Sequence, residues 1–178
     1  TAKITAQHGV CYDALLKRFD ERRAGQYARA NRQALEEYAA VVGELGVSCG
    51  YREAPAYLYS TVAGDPMRRE AEAARRLGID AVYTAETELP FPVAGAVRFD
   101  RQAQFHPLAF LRALCEHLEI YEDSRVLFVE GNRAVTERGA VVADKLVFAT
   151  HYPFVNVPGW YFMRMHHERS YVLALQSE

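Results

Sequence analysis

The sequence predicts a mixed α/β (α+β) fold in which helices pack on a sheet, and three observations lead to this prediction. Half of the 178 residues are hydrophobic and a quarter are charged, which is the composition of a globular protein. Apolar residues recur at helical spacing after Asp20 and again after Pro66 and Pro107. Strand-like apolar runs lie between and after these stretches. Because helices and strands do not strictly alternate, we expect a mixed sheet.

The first two predicted helices lie near the start of the chain. A short helix is indicated from Tyr12 to Phe19. Asp20 is then an N-cap residue for a long helix, which Gly43 and Gly46 close. The apolar face of the long helix is formed by Tyr27, Ala34, Leu35, Tyr38, Val41, Val42 and Leu45.

Two further helices are indicated by proline at their first turn. One begins at Gly64-Asp65-Pro66, with Asp65 as its cap, and Gly78 stops it. Pro107 opens the other, which ends near Leu118. Acids and bases are interleaved on the first of these, so we interpret its charged residues as a solvated surface rather than a basic groove: Arg68, Arg69, Glu70, Glu72, Arg75 and Arg76.

Strands are predicted for the remaining apolar runs, at 51–53, 56–62, 81–85, 93–99, 119–122, 125–130, 134–137, 140–150 and 171–175. Within 140–150, the run Lys145–Thr150 has little alternation, as expected for a strand covered on both faces. It ends in Ala149-Thr150-His151, where small side chains and a hydroxyl allow a flat ligand to approach the strand end. An ordinary core strand is the alternative.

Composition excludes several classes of function. With 21 basic and 23 acidic side chains, the charge gives no support for nucleic acid or an anionic membrane surface as a partner. The three cysteines are widely spaced, so neither a disulfide framework nor a zinc site is indicated, and we expect a cytoplasmic protein. No apolar run reaches the roughly 18 residues of a membrane span. The phosphate-binding loop, the nucleophile elbow and the H-E-x-x-H metal motif are absent.

Among the histidines, His8 and His151 are the strongest candidates for contact with a ligand. His106 precedes Pro107 and is expected to cap its helix. His117 suits the end of a helix, and adjacent His166 and His167 point apart in an extended chain, so they form no chelating pair.

Three motifs together resemble the D-amino-acid-oxidase-like family of FAD-dependent oxidoreductases, which includes glycine oxidase and sarcosine oxidase. The first is Thr1-Ala2-Lys3-Ile4-Thr5-Ala6-Gln7-His8-Gly9. The second is Arg101-Gln102-Ala103-Gln104-Phe105-His106-Pro107-Leu108. The third runs from Ala143-Asp144 to Phe148-Ala149-Thr150-His151-Tyr152-Pro153-Phe154. Bacterial members of this family that are similar to the chain sometimes carry an additional C-terminal Rieske domain.

The resemblance implies the following site residues. Thr1, Ala2 and Lys3 match the end of a loop that wraps the flavin, so Lys3 would lie near the ring system. Val126 matches a strand position whose backbone meets the adenine, and Ala149, Thr150 and His151 match a strand end close to FAD. Gln7, His8, Tyr57, Tyr59, Gln104 and His106 are implied to face the substrate pocket. No catalytic residue and no metal ligand is assigned.

The resemblance also implies a domain plan. Residues 1–50 and 106–154 would belong to a partial FAD-binding domain with a mixed sheet, residues 51–105 to an antiparallel substrate domain, and residues 155–178 to a second segment of that domain. We expect an internal piece of a longer protein that oxidises a small-molecule amine or amino acid. The piece alone is expected to bind FAD poorly and to be inactive, and a 2Fe-2S cluster could lie on a missing C-terminal domain.

Two alternatives remain open from the residues alone. The chain could belong to a flavoprotein-like scaffold that has lost its chemistry and serves as a binding module. It could instead be a metal enzyme that uses His8, His106 and His151, although few carboxylates lie near these histidines in the sequence.

Overall fold

The computed structural model describes residues 2–155 and 159–176 of the chain. The chain divides into two compact units, Thr1–Glu119 and Ile120–Glu178. Helices and antiparallel strands occur together, which confirms the mixed α/β class. The assignment of 1–50, 51–105, 106–154 and 155–178 to two domains stays a prediction. Among the helices of the described residues, none is long and apolar enough to cross a bilayer.

The first unit consists of four helices and a four-stranded sheet. Its elements in chain order are β1 (Lys3–Ile4), α1 (Tyr12–Arg18), α2 (Glu21–Leu45), β2 (Arg52–Ser60), α3 (Asp65–Arg76), β3 (Ala81–Thr84), β4 (Gly95–Gln104) and α4 (Pro107–Cys115). Strand β4 is central, because β1, β2 and β3 all pair with it in antiparallel fashion. A register shift between Ala54 and Ala56 interrupts the β2–β4 ladder. The parallel pairs that a mixed sheet requires are not formed among the described residues.

Small residues on α2 and α3 are buried in the core, and α3 packs directly against the sheet. Phe99 and Val97 of β4 are completely buried, and so are Ala24 of α2 and Ala74 of α3. Ala28 and Ala71 are nearly so. The core therefore depends on alanines that let backbones approach, with a few large side chains filling the space between them.

Helix α2 begins and ends as predicted, but its apolar face is only partly buried. The Asp20 side chain accepts a hydrogen bond from Arg23 N at 2.9 Å, and Gly46 caps the other end with φ of 60°. The predicted face includes Tyr27 and Tyr38, which are 38% and 39% exposed. The structure buries Ala24, Gly25 and Ala28 instead, on the part of α2 that joins the core cluster and lies against α1.

Helix α3 departs from the prediction at two positions. Gly64 occupies the N-cap and Asp65 is the first helical residue, without a side-chain capping bond. Glu70, predicted to be solvated, is completely buried. Its carboxyl group accepts hydrogen bonds from backbone N–H groups at the start of α1, which are 57 to 59 residues away in sequence. The charge pattern around Glu70 on α3 therefore could not predict its burial.

The second unit contains an antiparallel meander of β5 (Val126–Glu130), β6 (Arg133–Thr136) and β7 (Ala140–Val142). A short 3-10 helix, Tyr161–Met163, follows. The predicted strands at 119–122, 145–150 and 171–175 are wrong, because these segments are not strands of either sheet in the part of the chain that the structure describes. Val147 is 87% exposed and Val172 is 95% exposed, so the apolar pattern alone does not make a strand.

Candidate functional site

A groove with a cavity volume of about 740 Å³ lies in the first unit, where β1, β4 and the start of α4 meet. Four of the predicted site residues line it: Ala2, Lys3, Gln104 and His106. They come together because β1 pairs with the last residues of β4, and α4 begins after only two intervening residues, Phe105 and His106. The structure therefore brings residues about 100 positions apart to one surface.

A row of polar side chains crosses the sheet beside this groove. Lys3 and Arg52 are the two register partners of Gln104, one on each side. With its amide oxygen turned toward Arg52, Gln104 accepts hydrogen bonds from Arg52 Nε at 2.8 Å and Nη2 at 2.9 Å. Directly paired residues project from the same face of a sheet, so two cations flank one neutral amide. The row favours an anionic or electron-rich group.

His106 performs the capping role that the sequence predicts. Its Nδ1 accepts a hydrogen bond from Ala109 N at 3.2 Å, and its backbone N–H donates to Cys49 O at 2.7 Å. Because Nδ1 is an acceptor, the neutral ring carries its proton on Nε2. His106 thus keeps one donor for a ligand while its other nitrogen holds the helix start.

Gln7 and His8 lie on the loop that follows β1 and do not line the groove. Gln7 is buried and donates from Nε2 to Gly9 O at 3.2 Å. His8 is exposed, and its Nδ1 lies 2.8 Å from the hydroxyl of Tyr27 on α2. The loop is therefore ordered by contacts within the unit.

Tyr57 and Tyr59 project from the face of β2 that is opposite to buried Ala56. The ring of Tyr59 packs against Phe91 with centroids 5.9 Å apart. Tyr57 is the register partner of Arg98, whose Nε lies 2.9 Å from Asp100 Oδ1. Asp100, followed by Tyr57, raises the pKa of the Arg98 guanidinium. Arg98 and Asp100 are not among the residues predicted from the sequence. Two opposite charges at alternate positions of one strand share a face, and this spacing was the sequence signal for their ion pair.

Val126 and Thr150 line a second cavity, of about 450 Å³, in the second unit. Arg125, Leu127 and Phe154 complete its lining. Ala149 and His151, on either side of Thr150, are exposed. The predicted strand at 145–150 is absent, yet two of the predicted cofactor residues still share one cavity.

The remaining predictions concern Thr1 and metal binding. Thr1 lies outside the described residues. Within 2–155 and 159–176, no group of three or more His, Cys, Asp or Glu side chains could hold a metal ion. His167 packs edge-on against Tyr152, and His166 lies 3.7 Å from a Glu168 oxygen, both in exposed surroundings.

Comparisons with known proteins identify the family of this chain. A family model described as FAD dependent oxidoreductase (DAO) matches residues 3–177. The chain belongs to the DAO family of FAD-dependent oxidoreductases. It is also 35% identical over 187 residues to a Bacillus subtilis (strain 168) protein named "Putative Rieske 2Fe-2S iron-sulfur protein YhfW". The match covers 99% of this chain and 37% of that protein.

The residues of this DAO-family chain fit a flavin. Ala2 and Gly50 contribute little side-chain volume to the groove, and the space where a Gly50 Cβ would stand is open. Lys3 supplies a cation beside this opening. A flat ring system that gains negative charge on reduction matches both features.

Proposed function

We propose that this chain supplies part of the cofactor and substrate sites of an FAD-dependent oxidoreductase that oxidises an amine or amino acid by hydride transfer. The observation that carries the proposal is the groove shared by Ala2, Lys3, Gln104 and His106 in a chain of the DAO family. Because the chain spans 37% of its curated relative, the activity belongs to a larger polypeptide.

Lys3 is the principal cofactor residue in this proposal. When bound, FAD supplies the acceptor for the hydride that leaves the substrate. The Lys3 ammonium stabilises negative charge beside the groove, and Ala2 leaves room for the ring, with Thr1 preceding them. In the second unit, Val126, Ala149, Thr150 and His151 are proposed to contact other parts of FAD, with the cavity at Val126 and Thr150 as support.

The substrate pocket is proposed to involve Gln7, His8, Tyr57, Tyr59, Gln104 and His106. The aromatic surface of Tyr57 and Tyr59 excludes water, and the Nε2–H of His106 is available as a donor. Orientation of the substrate carbon toward the hydride acceptor is the main task of such a pocket. Loss of hydride from the carbon that bears an amine would yield an iminium ion, which water would then hydrolyse to a carbonyl compound and ammonium, or to a protonated amine where the nitrogen is substituted.

The wider setting is proposed as follows. Residues 1–50 and 106–154 serve the FAD-binding domain, and residues 51–105 and 155–178 serve the substrate domain. A 2Fe-2S cluster elsewhere in the complete polypeptide would take up electrons, and the name of the Bacillus subtilis relative supports the presence of such a cluster. A cytoplasmic location is supported by the three free cysteines, Cys11, Cys49 and Cys115.

The test uses the complete polypeptide reconstituted with FAD. We expect a yellow protein whose flavin absorbance is bleached by a suitable amine. Lys3→Met should weaken FAD binding about tenfold or more, since a hydrogen bond to a charged group is worth roughly 1.5 to 3 kcal/mol. It should also make the flavin reduction potential more negative. Lys17→Met is the matched control, because Lys17 pairs with Asp13 on α1 and does not line the groove.

Each outcome bears on a different part of the proposal. A folded, complete protein that stays colourless with FAD would contradict it. Bound flavin that no amine or amino acid reduces would instead favour a binding module without chemistry.

A further inference from the structure

The segment from Lys3 to His8, called here the 3–8 segment, has few backbone contacts of its own. Strand β1 pairs with β4 at only two positions, Lys3 with Gln104 and Ile4 with Ala103. Two paired residues do not order a segment in water. Ala6 is nevertheless only 1% exposed, so groups elsewhere in the unit must hold the segment in place.

Gln102 provides the first of these groups. Its side chain is 4% exposed, and its Oε1 accepts hydrogen bonds from Ala6 N at 2.7 Å and Thr5 Oγ1 at 3.1 Å. Its Nε2 donates to Asp100 O at 2.6 Å. Both ends of the amide are therefore used, and β4 is bonded to the middle of the 3–8 segment.

Tyr12 provides the second. Its hydroxyl donates to Ala6 O at 2.7 Å, and its completely buried ring packs between Phe99 and Tyr27, each with its centroid 6.1 Å away. The N–H and C=O of Ala6 thus both bond to side chains. A buried peptide group must find such partners, and here they replace a sheet neighbour.

Glu70 provides the third by holding Tyr12 itself. Its two carboxyl oxygens accept hydrogen bonds from Cys11 N at 3.0 Å, Tyr12 N at 2.9 Å and Asp13 N at 2.9 Å. The N-cap residue Cys11 makes no side-chain capping bond, so a residue of α3 caps α1. The start of α1 is fixed to α3, and Tyr12 is fixed with it.

We propose that Gln102, Tyr12 and Glu70 are positioning residues that hold the 3–8 segment, and with it Lys3, in place for the cofactor. This inference rests on the proposed function of Lys3. None of the three lines the groove, so they act on FAD through the 3–8 segment alone. Their contacts come from β4, α1 and α3, which enclose the segment from the interior of the unit.

The test compares Tyr12→Phe and Gln102→Met with wild type in the complete polypeptide. Tyr12→Phe removes one hydroxyl and keeps the ring, whereas Gln102→Met keeps the length and removes the amide. Tyr38→Phe is the control, because Tyr38 lies beside the same segment and its hydroxyl has no hydrogen bond among the described residues. Amide hydrogen exchange is measured without FAD, and FAD affinity is measured by titration.

We expect exchange of amides 4–8 to accelerate about tenfold in both variants, with amides of α3 and β4 unchanged. The FAD dissociation constant should rise about tenfold, because the segment must then be ordered on binding. Tyr38→Phe should match wild type in both measurements.

Two results would overturn the inference while wild type still binds FAD. One is unchanged exchange at 4–8 or an equal acceleration throughout the unit, which indicates a general structural role. The other is faster exchange at 4–8 with unchanged FAD affinity. Failure of wild type to bind FAD would instead reject the proposed function.

Discussion

Replacement of Glu70 by glutamine tests whether a buried carboxylate stabilises this fold. Glu70→Gln keeps one oxygen for the Cys11 and Tyr12 amides but can turn an NH₂ group toward Asp13 N. Donor would then face donor where a hydrogen bond existed. The substitution preserves size and removes charge, so packing around α3 stays the same.

The expected loss follows from the three hydrogen bonds. The broken bond to a charged acceptor costs about 2 kcal/mol. The two that remain lose charge assistance, and the partial positive charge at the start of α1 loses its counter-charge, for about 1 kcal/mol more. Glutamine avoids the desolvation of a buried carboxylate, which offsets part of this. We expect a net destabilisation of about 2 to 3 kcal/mol.

Urea unfolding, followed by far-ultraviolet circular dichroism, measures this difference in the free energy of unfolding. An unchanged slope of that free energy against urea concentration would show that both proteins expose the same surface area when they unfold. Glu72→Gln is the control, because Glu72 lies on the same helix and is exposed. It should change the free energy of unfolding by less than about 0.5 kcal/mol. If Glu70→Gln also changed the free energy of unfolding by less than about 0.5 kcal/mol, the desolvation cost of the carboxylate would cancel the energy of its hydrogen bonds. That result would refute the claim that the Glu70 carboxylate stabilises the fold.

Two further predictions concern the cysteines. Burial, with a smaller contribution from Glu70, raises the pKa of the Cys11 thiol from 9.0 to about 11. Between these pH values the unfolded chain releases a proton that the folded chain retains, so the free energy of unfolding should fall as pH rises from about 9 to 11. Cys11→Ser should reduce that fall in urea titrations; an identical pH profile would contradict the assignment. At neutral pH, a thiol reagent should modify exposed Cys115 rapidly and leave buried Cys49 and protonated Cys11 until urea is added; three equally fast thiols would disprove the burial.

Features set by neighbouring residues were predictable from the sequence. Asp20 and Gly46 bound α2 as predicted, and His106 caps α4, because a cap needs only the residue type and the helix that adjoins it. Glu70 was not predictable in this way. Its surroundings on α3 are charged, and its partners on α1 are supplied only by the tertiary fold.

The segment 145–150 shows a different limit. Its side chains are those of a buried strand, yet it is not a strand of either sheet among the described residues and Val147 is 87% exposed. The hydrophobic pattern indicates whether side chains suit a buried environment. A strand also requires a neighbouring strand whose backbone forms hydrogen bonds with its own N–H and C=O groups. The pattern and the structure disagree here because only one of these two conditions is met.

The candidate site required both sources of information. No spacing rule relates Lys3 to Gln104, since Gln104 lies 101 positions after Lys3 in the sequence. Only the family resemblance assigned Lys3 to the flavin and Gln104 to the substrate pocket. The structure supplies the physical link, because β1 pairs with the end of β4 and sets Lys3 beside Gln104 in one register row with Arg52. A two-residue strand cannot maintain that row unaided. The side chains of Gln102 and Tyr12 add hydrogen bonds to Ala6, two residues after that strand, and a single substitution can remove each of these bonds.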